Sequence, residues 1–344
     1  MTQRAAIPAC EAVLLSRPRL TGVERYTMEV LRAARGPFTV LVGPPSKSTD
    51  ALRRPQDGPG WDVRTVGHSV AWASHVGVWR FLSRETPPFV HYFSLSPGLV
   101  RADRPFSVTI HDVSAWRFPS TASPGMRAMY RPLLLGAMRS SLFRGVITVS
   151  RFSKEEILRH FDLEASKVQI VRQSVDYVRQ IEPFPVSITE PFFLHVGTIE
   201  PRKNVAALLN AFARAQASAH YKLVLVGRMG WGHSAIDALN VEWLGTTSDR
   251  QLAWLYQNAT ALVSTSLYEG VGLPPAEALA CGCPVLLSDI GAYRELYSGH
   301  PNCRIFHTEE ELSALFDNPP RRMPSSFALP PSQGLETALE LLHR

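Results

Sequence analysis

The chain has 344 residues, enough for about two domains of roughly 150 residues each, and its 45% hydrophobic and 19% charged composition excludes disorder as the main state. No run reaches the roughly 18 apolar residues of a spanning helix, Met1–Ala6 leads into no apolar stretch of a secretory leader, and four cysteines (Cys10, Cys281, Cys283, Cys303) are too few and scattered for a disulfide framework, so a reducing cytoplasm is expected. The formal charge of +6 is unevenly held: residues 1–178 carry 24 Lys and Arg against 14 Asp and Glu, and residues 179–344 carry 12 against 16, so the first half offers a basic face to nucleic acid, anionic lipid or a phosphorylated substrate, or is a solvated arginine-rich surface.

In chain order, Ala12–Leu15 is a short apolar run, a turn with Gly22 follows, and a helix is expected over Val23–Ala34. Phe38–Val42 reads as a strand, residues 44–60 as a Pro/Ser/Gly loop, and Phe89–Tyr92, Ser107–Ile110, Gly145–Val149 and Val168–Val171 as further strands. Ser150 has the position and chemistry of an N-cap for a helix over 151–160. The second half repeats the pattern. Strands are expected at Phe192–Val196, Lys222–Val226, Val241–Leu244, Ala261–Val263 and Pro284–Ser288, with helices at Asn204–Ala215, 249–257 and 274–281. Alternation on this scale means parallel sheets of doubly wound type. Residues 177–191 hold three prolines without periodicity and read as a linker; residues 317–334 are Pro/Ser-rich, and Leu335–His343 reads as a last helix. The expected domains are 1–178 and 179–328, followed by a C-terminal segment over 329–344.

Two segments carry chemistry. In Gly197–Asn204 (Gly-Thr-Ile-Glu-Pro-Arg-Lys-Asn) a glycine ends a strand and two adjacent cations, Arg202 and Lys203, open a helix. A helix N-terminus already favours anions, so the pair makes a phosphate or diphosphate site; the plain alternative is a capped helix with exposed cations. In Tyr268–Glu277 two glutamates, Glu269 and Glu277, flank a Gly-x-Gly loop, and Pro274 and Pro275 suit the first turn of the helix that follows. A carboxylate near a diphosphate serves to accept hydrogen bonds from hydroxyls of a sugar or ribose. Both segments lie at strand-to-helix turns of one half-chain, where parallel-sheet proteins bind ligands.

Tyr268–Asp289, preceded by Gly197–Asn204, resembles the retaining glycosyltransferases of the GT4 family, and the resemblance extends to Leu20–Ala34, His111–Pro119 and Val146–Phe161. It implies an α/β GT-B fold: two Rossmann-like doubly wound domains with an interdomain cleft, the first binding the acceptor and the second the nucleotide sugar, with the C-terminal helix within 329–344 crossing back to the first domain. It implies a hexose transferred from a nucleotide sugar, with GDP-mannose first and a UDP- or dTDP-sugar next, to a glycan or lipid-linked glycan in surface-polysaccharide synthesis. On the positions of this chain, Arg202 and Lys203 would hold the donor diphosphate, Glu269 the sugar hydroxyls, and Glu277 the ribose. Backbone N–H groups of Gly270, Val271, Gly272 and Leu273 would support sugar and phosphate, Gly197 would belong to the donor site, and Gly22 would let the backbone approach the phosphate. His111 would be a catalytic residue across the cleft near the reacting sugar, its plain alternative being a buried histidine at a strand end bonded to backbone. No metal or other cofactor is expected, since two fixed cations and a helix dipole can neutralise the leaving group. Gln173-Ser174-Val175-Asp176 stands where many relatives have Asn-Gly-Val-Asp, which implies a different turn there.

Residues 126–144 interleave Arg127, Arg131, Arg139 and Arg144 with apolar residues, the pattern of a helix lying on an anionic membrane or of a buried helix with a basic rim. Peripheral attachment to the inner membrane face follows from the first of these. The competing functions are another GT-B activity such as a phosphorylase or epimerase, a non-catalytic scaffold, and a nucleic-acid binder. The last lacks the interleaved aromatic and basic residues of single-strand readers, so no nucleic-acid partner is expected.

Overall fold

The computed structural model describes residues 8–12, 15, 21–34, 36–43, 62–66, 71–93, 103–121, 132–230, 239–324 and 326–344. The loop expected at 44–60 and the first part of the basic stretch at 126–144 lie outside these residues. The chain forms two compact units: residues 1–173 with 331–344, and residues 174–330.

The first unit is built on seven parallel strands: β1 (Ala9–Glu11), β2 (Thr39–Val42), β3 (Asp62–Thr65), β4 (Val90–Tyr92), β5 (Phe106–Thr109), β6 (Phe143–Thr148) and β7 (Val168–Ile170). Their order is β3-β2-β1-β4-β5-β6-β7. The central strands read as continuous apolar runs because helices cover both faces of such a sheet; β5 is buried at all four positions. Helix α1 (Gly22–Ala33) buries Tyr26, Met28, Val30 and Leu31, and α2 (Ala71–Leu82) precedes β4. The first strand falls at Ala9–Glu11, ahead of the apolar run at 12–15. Residues 132–138 are helical, with Leu134 and Ala137 buried, so this part of the basic stretch spends those apolar side chains on the core.

Helix α3 (Arg151–His160) begins as its sequence dictates: Ser150 Oγ accepts from Ser153 N at 3.0 Å, and Ser153 Oγ donates to His111 O at 3.1 Å. Replacing Ser150 by Ala removes that cap, and the expected cost is about 1 kcal/mol in denaturant unfolding.

The second unit has six parallel strands: β8 (Phe192–Val196), β9 (Lys222–Val226), β10 (Val241–Gly245), β11 (Ala261–Ser264), β12 (Val285–Ser288) and β13 (Cys303–Phe306), ordered β10-β9-β8-β11-β12-β13. The connecting helices are α4 (Val205–Arg214), α5 (Asp249–Asn258), α6 (Leu273–Ala280), α7 (Gly291–Tyr297) and α8 (Glu309–Asp317). One core cluster joins Phe193, Leu208, Phe212, Leu225 and Phe316, with Phe316 edge-on to Phe193 at 4.6 Å and to Phe212 at 5.4 Å between ring centroids. The strand order reverses beside β8, so the turns after β8 and β11 are the switch point where such sheets bind ligands.

The last helix, α9 (Leu335–His343), belongs to the first unit. It buries Leu335, Ala338, Leu339 and Leu342; Glu336 Oε1 accepts from Gly36 N at 2.9 Å, and the His343 ring stacks on Phe89. The boundaries differ from the sequence reading, which ended the first domain at 178 and the second at 328. Residues 174–178 pack with the second unit because Tyr177 donates to Glu277, while neighbouring Arg179 donates from Nε to Ala280 O at 2.9 Å and from Nη2 to Phe327 O at 2.7 Å. Those contacts fasten what proline content alone marks as a linker. Among the described residues no helix is long and apolar enough to cross a membrane.

Candidate active site

The site in the second unit begins where β8 ends. Gly197 N donates to Val226 O at 2.9 Å, continuing the ladder to β9. The chain then turns through Ile199 and Glu200 into a single 3-10 turn over Pro201–Lys203, and α4 starts only after Asn204, which has φ +50°. The two cations therefore stand on the turn ahead of the helix, one step earlier than expected, because Pro201 supplies no N–H and sets that turn.

Neither cation is free. Arg202 Nη2 donates to Glu200 Oε1 at 2.8 Å, and Nη1 donates to Tyr268 O at 2.7 Å and pairs with Glu269 Oε2 at 3.0 Å. Lys203 Nζ pairs with Glu269 Oε1, which also accepts from Ser266 Oγ at 2.9 Å. Backbone bonds lock the two loops together: Leu267 N donates to Arg202 O at 2.9 Å, and Thr265 Oγ1 donates to Lys203 O at 2.9 Å. Glu269 is only 7% exposed. Burial raises its carboxyl, but Arg202, Lys203 and Ser266 outweigh burial and hold it down to about 2. The network continues from Ser266 to Ser264 at 3.2 Å and on to Tyr293 Oη at 2.7 Å.

The Gly-x-Gly loop is equally determined. Tyr297 Oη donates to Val271 O at 2.9 Å and Gly272 O at 2.8 Å, and a methyl on Gly272 would meet the Tyr293 ring at 2.5 Å. Gly270 and Val271 are buried, and Leu273 is the first residue of α6, with Pro274 and Pro275 in the first turn. Glu277, in the second turn and 4% exposed, belongs to a separate set of bonds: Tyr256 Oη donates to Oε2 at 2.7 Å and Tyr177 Oη donates to Oε1. Replacing Tyr177 by Phe takes a donor from a buried carboxylate, and the expected cost is about 1.5–3 kcal/mol in denaturant unfolding.

His111 and Gly22 belong to the first unit. Gly22 is the first residue of α1, exposed, and not part of a loop: Glu24 Oε2 accepts from Thr21 N at 2.9 Å and draws the helix start back to it. His111 follows β5; its ring lies edge-on to Tyr26 at 4.7 Å, and burial pushes it down to about 4 against the pull of Asp112 and Glu24. Glu200, Tyr177, Tyr256 and Tyr293 were not legible as site residues. Glu200 alone had a signal, as a third charge in Glu-Pro-Arg-Lys. Among the described residues, no three His, Cys, Asp or Glu side chains stand together as a metal site.

Two doubly wound domains, one carrying paired cations against a buried carboxylate at its switch point, define a protein of the GT-B fold. Residues 20–179 match the family model described as Glycosyltransferase Family 4, and residues 178–315 match that described as Glycosyl transferases group 1. Between them the two glycosyltransferase models span residues 20–315. It is similar to O-antigen chain mannosyltransferase B of Escherichia coli, 32% identical over 207 residues that cover 55% of this chain and 54% of that protein. It is also similar to the O-antigen chain mannosyltransferase RfbU of Salmonella typhimurium, 29% identical and covering 55% of this chain and 54% of that one. The chain thus spans about half the length of the curated relatives it matches. Among solved structures, Anabaena HepE in complex with UDP and glucose superposes with a TM-score of 0.68 at 18% identity, covering 91% of this chain and 89% of the other. WaaG, a glycosyltransferase involved in lipopolysaccharide biosynthesis, gives 0.60 at 17% identity, covering 91% and 90%.

Proposed function

We propose that the chain is a retaining, metal-independent hexosyltransferase that moves mannose from GDP-mannose to a glycan or lipid-linked glycan acceptor in surface-polysaccharide synthesis. The observation that carries this reading is the Arg202–Lys203–Glu269 cluster ahead of the N-terminus of α4. The two cations and the helix dipole neutralise a departing diphosphate. Glu269 stays ionised and accepts hydroxyl hydrogens of the donor sugar, and Glu277 those of the ribose. Arg202 is balanced by Glu200 and Glu269, and Lys203 by Glu269, so donor binding is an exchange of partners. Retention follows from a front-face reaction in which the leaving phosphate oxygen takes the acceptor proton, a route that asks no nucleophile of the protein. The excess of positive charge in residues 1–178 suits a phosphorylated, lipid-linked acceptor and peripheral attachment to an anionic membrane face.

Mannose rests on the names of the mannosyltransferases to which the chain is similar. A UDP-sugar donor is the second reading, supported by the UDP held in HepE. A thermal-shift panel of GDP, UDP, dTDP and ADP with their common sugars decides between them. Selective stabilisation by GDP and GDP-mannose is expected; selectivity for UDP moves the assignment to the second reading, and no response to any nucleotide overturns both.

A further inference from the structure

His195 lies on β8, one residue before its end, and is 1% exposed. The β8–β11 ladder closes with the pair Leu194 and Leu262. Beyond it the His195 side chain reaches Val263, with Nδ1 at 3.1 Å from the Val263 carbonyl oxygen. A carbonyl only accepts, so Nδ1 carries the proton and Nε2 presents a lone pair. That Nε2 is buried and has no hydrogen-bond partner. A buried acceptor without a donor is destabilising and calls for an explanation.

The ring is aimed at the cation site. A methyl on Gly197 would lie 3.7 Å from His195 Nε2 and 3.4 Å from Lys203 Cε. The imidazole and the lysine stem therefore flank one space, and the missing side chain of Gly197 leaves it open. Only an N–H or O–H can satisfy Nε2; a phosphate oxygen cannot. The Lys203 ammonium has three such donors, and among the described residues its side chain is bonded to Glu269 alone.

We propose that His195 is a positioning residue whose Nε2 is the second acceptor of the Lys203 ammonium, holding it when Glu269 turns to a substrate hydroxyl. The proposal rests on the donor-binding reading above and deepens it. A neutral acceptor suits the task. A third carboxylate here would hold the ammonium as well but would repel the incoming diphosphate, whereas an uncharged imidazole fixes the cation and leaves its charge to the ligand. Burial keeps the ring uncharged near neutral pH, pushing it down to about 4 against the Val263 hydrogen bond and Glu269, with the Lys203 charge acting in the same direction as burial.

The alternative is a ring that only ties β8 to Val263, and side-chain geometry separates the two. Asparagine can still donate to the Val263 carbonyl but has no atom at the Nε2 position; glutamine can place its amide there. The ligand-free test uses the full chain with lysine labelled at 15Nζ and follows the Lys203 ammonium signal, assigned by its loss in Lys203→Ala. In Glu269→Gln the signal is expected to remain in slow exchange with water. In Glu269→Gln/His195→Asn it is expected to vanish, and in Glu269→Gln/His195→Gln to return in part. An unchanged signal in the His195→Asn double variant overturns the proposal. A second arm measures inorganic pyrophosphate binding by calorimetry. His195→Asn is expected to weaken it about tenfold, a change in binding free energy large enough to read directly, measured at a temperature where both proteins are folded because the smaller buried side chain lowers stability. Equal affinity in wild type and His195→Asn also overturns the proposal. If wild type binds neither pyrophosphate nor any nucleotide, the donor-binding reading fails, and the ammonium signal still decides the role of His195.

Discussion

Replacing Glu269 by Gln is expected to lower turnover about 10²-fold or more and to reduce the stability of the protein at neutral pH by about 3 kcal/mol. The two effects share one cause. Glu269 lies among Arg202, Lys203 and Ser266, and its carboxyl is held at about 2 against an ordinary value of 4.5. Burial opposes that depression, so the cations supply more than the net shift shows. A carboxyl depressed on folding contributes stability that is present above its unfolded value and is lost as pH falls through its folded value. Two to three pKa units correspond to on the order of 3 kcal/mol, within the range found when one partner of a buried pair is removed. Glutamine keeps the hydrogen bond from Ser266 but takes the carboxylate from Lys203 and one of its ion pairs from Arg202, which stays paired with Glu200. The difference between wild type and variant should therefore be full near pH 7 and should shrink between about pH 4.5 and 2. Urea unfolding at pH 7 and pH 3, beside an assay with the donor found by the nucleotide panel, measures both effects. A variant as stable as wild type at pH 7 contradicts the ion cluster as drawn, and a variant that turns over at the wild-type rate contradicts the assignment of Glu269 to the site.

Much of the second unit was legible because its local signals agree with its packing. Phe192–Val196 is an apolar run closed by Gly197, and β8 occupies those residues. Pro274 and Pro275 mark the start of α6, as Ser150 marks the start of α3 in the first unit. Elements that side-chain pattern does not encode went unread. Strand β3, Asp-Val-Arg-Thr, is largely exposed and is recruited at the sheet edge by backbone pairing with β2, Asp62 opposite Thr39. Strand β13 is four residues long, and α7 begins at Gly291 with seven residues, too short for a helical period to show. At the site, the residue types were readable but their pairing was not. Arg202 and Lys203 read as cations open to a ligand; the fold sets them against Glu200 and Glu269, which are distant in sequence from one another. Glu277 reads as an open acceptor, and Tyr177 and Tyr256 reach it from 100 and 21 residues away. His195 does carry a sequence signal: a histidine inside Phe-Phe-Leu-His-Val, a strand buried on both faces, is a polar group that needs a reason to be there.

The largest stability loss is expected from Gly227→Ala, at about 2–6 kcal/mol. Gly227 follows β9 with φ +143°, and a methyl there would lie 1.9 Å from Gly197 O and 2.6 Å from Gly197 C. Backbone atoms cannot rotate away as a side chain would, and both sides are fastened. Gly227 N donates to Gly245 O at 2.7 Å, Gly227 O accepts from Trp243 Nε1 at 2.8 Å, and Gly197 N is bonded to Val226 O at 2.9 Å. Overpacking of about 1–3 kcal/mol therefore adds to backbone strain of about 1–3 kcal/mol. The displaced residue is Gly197, from which the chain runs directly into Glu200, Arg202 and Lys203. A shift of several tenths of an ångström there loosens the ion cluster, so the variant should lose nucleotide binding even where it remains folded. Gly245→Ala is the control: its φ is +65°, and a methyl there meets nothing within 4 Å. It bears only the left-handed backbone penalty, about 1–2 kcal/mol. Guanidinium unfolding of the two variants separates close approach from conformation as the demand for glycine. A Gly227→Ala loss no greater than that of Gly245→Ala removes the close approach from the argument, whereas a difference of about 2 kcal/mol or more shows that the turns after β8 and β9 are held in contact by the absence of a side chain.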